Sequence, residues 1–314
     1  MFIQKRHLSA LSVLALATLA ATTLSACSST ESTATTGKTL SVVTAFYPLQ
    51  FASESIGGTK VEVTNLTPPG AEPHDIELTP QQVAQIKEAD LVVYIGGFQA
   101  AVDDAVKQEA KDTGLDVGQG LTTLDPPPGE VAEAKANKEE APIADPHIWL
   151  DPSLMAKISD RIGARFTQID AANSETFKTN QASLSKQLTE LNSEWATGTK
   201  TCRSRDLVVS HEAFGYLGKA FEFTQVGISG LAPDAEPSAA KIAEVTDFVR
   251  KNDVTTIYFE TLVDPKVAKT VATETGAKTV VLDPLEGLEE GSTQDYLSVM
   301  RTNLTALQEG QGCK

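Results

Sequence analysis

Histidine is scarce in this chain: four of 314 residues are His, and only three are Cys, three Met and two Trp. Basic charge is short as well, with 26 Lys and Arg against 42 Asp and Glu, a formal net charge of −16. Such a surface repels phosphate backbones, which excludes nucleic acid as a partner. The longest apolar run, Leu8 to Leu24, is shorter than the ~20 residues that span a bilayer. The helix-borne zinc-protease signature His-Glu-x-x-His is also missing.

What is present begins with a leader. Lys5 and Arg6 precede an apolar run from Leu8 to Leu24, which ends in Leu24-Ser25-Ala26-Cys27. A positive start, a short apolar core and small residues before a cut are the layout of a secretory signal over 1–26. Leu-Ser-Ala-Cys also resembles the bacterial lipobox, in which cleavage before the Cys is coupled to its acylation, so Cys27 is the expected lipid attachment. Residues 27–37 are Ser/Thr-rich without apolar periodicity and read as a flexible tether. Loss of 1–26 removes two cations and no acid, moving the formal charge to −18. About 290 residues remain, enough for two lobes.

With Cys27 committed to lipid, Cys202 and Cys313 are an even pair in an oxidising compartment. Cys202 enters the first strand of a second lobe and Cys313 follows its last helix. The end of a compact domain commonly returns beside an early element. A bridge and two free thiols both remain open on these grounds.

Outside the leader, which holds His7, three histidines remain, each beside carboxylates: His74 in Glu-Pro-His-Asp, His147 in Asp145-Pro-His-Ile-Trp-Leu-Asp151, and His211 in Ser-His-Glu212. They are 73 and 64 residues apart and none lies on an amphipathic helix face. Taken singly, a His near an Asp is more often a satisfied surface or core residue than a ligand. Three scarce imidazoles, each with an acid able to fix the second ring nitrogen, are what a zinc site needs if the fold gathers them.

The body alternates strand and helix patterns. Strands are predicted over 39–46, 61–66, 91–95, 207–210, 225–228, 256–259 and 278–282. Helices are predicted over 48–56, from Thr79 with a capping signal, and over 99–112, 152–169, 174–197, 213–221, 238–250, from Asp264, and over 294–307. Strand, helix, strand without hairpin turns predicts parallel sheets. Residues 126–142, with prolines and acids but no apolar stripe, read as an exposed loop. Phe177, Leu184, Leu188, Leu191 and Trp195 keep helical spacing through 24 residues without Pro or Gly, long enough to span two lobes. His211, Glu260 and Asp283 all fall just past strand ends, where parallel sheets place their sites.

Five motifs carry a family resemblance: Pro68–Pro80 with its Pro-His-Asp, Ala89–Val93, Asp145–Leu150, Ser210–Leu217 and Leu282–Leu285. Together they resemble the zinc-type (ZnuA-like) metal-binding lipoproteins of ABC importers, in the TroA-like cluster A-I of substrate-binding proteins, over residues 39–313. The resemblance implies an α/β fold of two βα lobes, 38–173 and 198–314, joined by a rigid helix at 174–197, with metal held between them. Carried over by residue, it implies His74, His147, His211 and Asp283 as ligands; Glu260 matches a Phe-x-Glu feature of the family and is assigned a supporting rather than a coordinating role, while Asp145 and Glu212, the acids beside His147 and His211, are the residues' own candidates to hold the second ring nitrogens. Manganese-type relatives usually carry a carboxylate where His211 stands. Three imidazoles and one carboxylate suit Zn(II), and a harder oxygen-rich set would suit Mn(II).

Zinc members often have a His-rich loop before the second ligand, whereas residues 130–142 here contain none. Related zinc-type proteins often bridge the second lobe, which favours Cys202–Cys313. The implied role is that of a lipid-anchored monomer on the outer face of the cell membrane that hands metal to a permease and its ATPase. A zinc hydrolase, with Glu212 or Glu260 as base, and a surface adhesin are the competing classes.

Overall fold

The computed structural model describes residues 39–127, 131, 135 and 144–314. The leader, Cys27, the tether and most of the acidic 126–142 loop lie outside the described residues. None of the described helices is long and apolar enough to cross a membrane.

The first half runs β1 (Leu40–Thr44), α1 (Tyr47–Gly57), β2 (Val61–Asn65), α2 (Pro80–Glu88), β3 (Leu91–Tyr94), α3 (Ala100–Glu109) and β4 (Gly114–Asp116). Then come α4 (Pro152–Ile169) and α5 (Ser174–Gly198). The second half continues with β5 (Asp206–Val209), α6 (Gly215–Phe221), β6 (Thr224–Gly227), α7 (Ala239–Lys251), β7 (Thr256–Phe259), α8 (Lys266–Thr275), β8 (Lys278–Val281) and α9 (Tyr296–Gln311).

Among the described residues all strand pairs are parallel, in two four-stranded sheets ordered β2-β1-β3-β4 and β6-β5-β7-β8. The two lobes therefore share one topology, each reversing direction at its first strand. The predicted strands appear, and β4, only Gly-Leu-Asp, is an additional edge strand. The predicted helix to residue 112 stops at Glu109, where the chain turns to enter β4.

Local chemistry sets the helix starts. At α2, Thr79 and Gln82 form the expected reciprocal cap: the Gln82 N–H donates to Thr79 Oγ1 at 3.3 Å, and the Thr79 N–H to Gln82 Oε1 at 2.9 Å. Asp151 caps α4 by accepting the Ser153 N–H at 2.7 Å.

Helix α5 buries Phe177, Leu184, Leu188, Leu191 and Trp195 on one face, each worth roughly 1.5–3 kcal/mol in transfer terms. Its N-terminal half is tied to the first lobe, where Asn180 Nδ2 donates to the Ile56 carbonyl at 2.9 Å. Its C-terminal half is tied to the second by the Arg301–Glu194 pair at 2.8 and 3.0 Å and by Trp195 stacked on Phe221. One continuous helix thus fixes both lobes. Cys202 and Cys313 are disulfide-bonded. Around the bridge the C-terminus returns to the entry of β5, with the Arg203 N–H donating to the Gln311 carbonyl at 3.0 Å.

Candidate metal centre

The loop after β2 delivers His74. Gly70 takes φ +80°, a conformation that a side chain disfavours. Buried Gln99 holds the next segment by donating to the Pro73 carbonyl at 3.0 Å and to Thr67 Oγ1 at 3.1 Å. The Phe98 ring meets the His74 imidazole edge-on, centroids 4.7 Å apart. Glu72 receives the His74 N–H on both carboxylate oxygens at 3.0 Å. Burial, only partly offset by that bond, pushes the Glu72 carboxyl up to about 8.

His147 opens the turn Ile148–Leu150 and is fully buried. Asp145 Oδ1 accepts its main-chain N–H at 2.9 Å and lies 2.8 Å from its Nδ1. His211 lies one residue past the end of β5, with Nδ1 2.9 Å from Glu260 Oε1, which also accepts the Ser210 hydroxyl at 2.6 Å. Asp145 and Glu260 thus hold the Nδ1 sides of two imidazoles and leave both Nε2 atoms facing Glu286. Glu212 does not share this role: His211 Nδ1 turns to Glu260 instead, and Glu212 packs beside Gly227 with its main-chain N–H on the Gly230 carbonyl.

The carboxylate that completes the group is Glu286. Its Oε1 lies 3.3 Å from His74 Nε2, 3.2 Å from His147 Nε2 and 3.1 Å from His211 Nε2. Among the described residues, His74, His147, His211 and Glu286 form a group whose ligand atoms all fall within 4.8 Å of one another. His147 Nε2 is buried without a hydrogen-bond partner despite its proximity to Glu286. A buried imidazole lone pair in that condition is costly unless a cation accepts it.

Asp283, the expected carboxylate, is not in this group. Its Oδ1 accepts the Leu285 N–H at 2.7 Å and its Oδ2 the Thr261 hydroxyl at 3.2 Å. Its main chain is bonded twice to Asn303, at 2.9 and 2.7 Å. With both oxygens engaged, Asp283 shapes the turn and Glu286, three residues on, reaches the imidazoles. Leu285 between them is buried at φ +57°, a strained conformation for a branched residue.

The electrostatics of the group are mutual. Burial opposes a charge on His211, but Glu286 and Glu260 outweigh it and raise its pKa to about 10. Burial likewise opposes a charge on His147, and Asp145 with Glu286 reverses it, a net rise. At His74 burial outweighs the pull of Glu286 and lowers its pKa. Glu286 is driven well below the usual carboxylate range because His211 and His74 outweigh its own burial.

The family model described as "ZnuA: Zinc-uptake complex component A periplasmic" matches residues 42–310. The high-affinity zinc uptake system protein ZnuA of Bacillus subtilis is 35% identical over 288 residues, 87% of this chain and 88% of that protein. The zinc-binding lipoprotein AdcA of Streptococcus pneumoniae is 36% identical over 280 residues, 86% of this chain and 55% of AdcA, so the chain spans about half of that longer relative. The crystal structure of the Zn(II)-bound ZnuA-like domain of that AdcA superposes with a TM-score of 0.72 at 34% identity, covering 87% of this chain and 98% of the domain. The two parallel-sheet lobes, the long helix and the matched span agree: the chain belongs to the ZnuA family of zinc-uptake components.

Proposed function

We propose that this protein captures Zn(II) between its lobes and delivers it to an ABC-type importer. The observation that carries the reading is the convergence of His74, His147 and His211 Nε2 on Glu286 Oε1 at 3.1–3.3 Å. Donor atoms on a tetrahedron with ~2.0–2.1 Å bonds stand roughly 3.3 Å apart, close to the 3.1–3.3 Å that separates Glu286 Oε1 from each Nε2. Three nitrogens and one oxygen favour Zn(II) over Mn(II), which prefers oxygen-rich sets. Four protein donors also leave no open position for the activated water of a hydrolase.

In this reading the metal is cargo, the lobes over 38–173 and 198–314 and their linking helix at 174–197 form its cradle, and the protein acts as a monomer. Acylated Cys27 anchors it on the outer face of the membrane, next to the permease and its ATPase. Cys27→Ser is expected to release the chain from the membrane fraction, and its retention there would contradict the anchor. The test of capture is calorimetric titration with Zn(II) and Mn(II) in competition. One tight zinc per chain, displacing manganese, is expected. Manganese preference, or no tight binding, would contradict the reading.

A further inference from the structure

We propose that Trp149 is a positioning residue for Glu286, and that its indole N–H governs how long the site retains its metal. The inference rests on the metal-site reading above and extends it to a residue that contacts no metal.

Glu286 sits on a loop that leaves β8 of the second lobe, yet the first lobe holds that loop at both ends. Trp149 Nε1 donates to the Pro284 carbonyl at 2.7 Å, and the Gly70 N–H donates to the Leu288 carbonyl at 2.8 Å. Trp149 also belongs to the turn that His147 opens, and its ring centroid lies 5.1 Å from the His147 imidazole. The indole is itself immobilised. It is fully buried against Phe46 and Phe98, at 4.7 and 5.2 Å, and its carbonyl accepts the Tyr296 hydroxyl from α9 at 2.6 Å.

One rigid side chain therefore links a first-lobe ligand to the loop of the only carboxylate in the group. The loop needs such a tie because buried Leu285, next to Glu286, is held at φ +57°, a conformation that a non-glycine residue keeps only when its surroundings enforce it. A buried indole N–H commonly finds an acceptor for its own satisfaction. What distinguishes positioning is that loss of the donor must act through Glu286.

The experiment is a double-mutant cycle on zinc dissociation, read in the full chain by transfer to a chromophoric chelator. Trp149→Phe, Glu286→Ala and the double variant are compared with wild type. Tyr258→Phe in the second-lobe core serves as control, since among the described residues that buried hydroxyl has no hydrogen-bond partner. The expected result is a rise of about tenfold or more in dissociation rate for Trp149→Phe, shrinking to under about twofold in the Glu286→Ala background. Tyr258→Phe is expected to leave the rate unchanged. Should Trp149→Phe fold poorly, 3-benzothienylalanine at position 149 keeps the shape and removes only the donor, and the same rise is expected.

Wild-type-like dissociation from either variant, or an equal rise with and without Glu286, overturns the positioning role alone. No zinc uptake by the wild-type chain overturns the metal-site reading and this inference together.

Discussion

Asp145 grips His147 twice with one oxygen, accepting the main-chain N–H at 2.9 Å and facing Nδ1 at 2.8 Å. Such a partner fixes both tautomer and ring orientation, and its loss typically costs about 10–100-fold in metal affinity. Asp145→Ala is accordingly expected to weaken zinc binding by about 10–100-fold with the fold intact, as measured by competition with a chelator of known affinity. Unchanged affinity would mean that burial alone aims the ring.

Glu286 and Asp283 are separable by affinity. Glu286→Ala removes a ligand oxygen, so its cost is expected to exceed the roughly 10–100-fold of an outer partner. Asp283→Asn can still accept the Leu285 N–H and meet the Thr261 hydroxyl, so its zinc affinity is expected to stay within about threefold of wild type. The reverse ranking in the same titration would return Asp283 to the site.

Asp283 also gives stability a pH dependence. Burial raises its carboxyl to about 6, with the Leu285 N–H and Thr261 bonds offsetting only part. The folded state then holds this proton more tightly than the unfolded chain. Its contribution, on the order of 3 kcal/mol, is present below about pH 4 and lost as pH rises to about 6. Denaturant unfolding of the zinc-free protein should therefore show wild type losing stability relative to Asp283→Asn across that window. Parallel curves would contradict the buried protonated carboxyl.

The disulfide lies at the opposite end of the second lobe from the metal centre. It sits where β5 begins, whereas His211 follows the end of that strand. Closing a separation of 111 residues contributes up to about 4–5 kcal/mol in the chain-entropy model. Replacing both cysteines by Ser is expected to lower Tm by roughly 5–15 °C and leave zinc affinity unchanged. A loss of affinity in the folded variant would show that the bridge reaches the site.

Much of this was legible in the chain because the signals were local. The Thr79-Pro-Gln-Gln cap, the apolar spacing from Phe177 to Trp195 and the placement of His211 and Glu260 past strand ends each depend on a few neighbouring residues. Glu286 was hidden for the opposite reason. Residues 283, 286, 289 and 290 are all acidic, and only the side-chain hydrogen bonds of Asp283 decide which of them reaches the imidazoles. β4 escaped because Gly-Leu-Asp has no pattern of its own and is a strand only through pairing with β3. Asp145 was identifiable as a partner from its spacing to His147, whereas Glu212 was misleading because adjacency in sequence does not turn a side chain toward the ring beside it.

The central claim is that three imidazoles and Glu286 together bind zinc. Anomalous diffraction at the zinc edge from crystals of the zinc-loaded protein tests it most directly. One strong peak is expected, with His74, His147 and His211 Nε2 and a Glu286 oxygen each at about 2.0–2.2 Å. A peak elsewhere, or a coordination shell that contains Asp283 in place of Glu286, would contradict it.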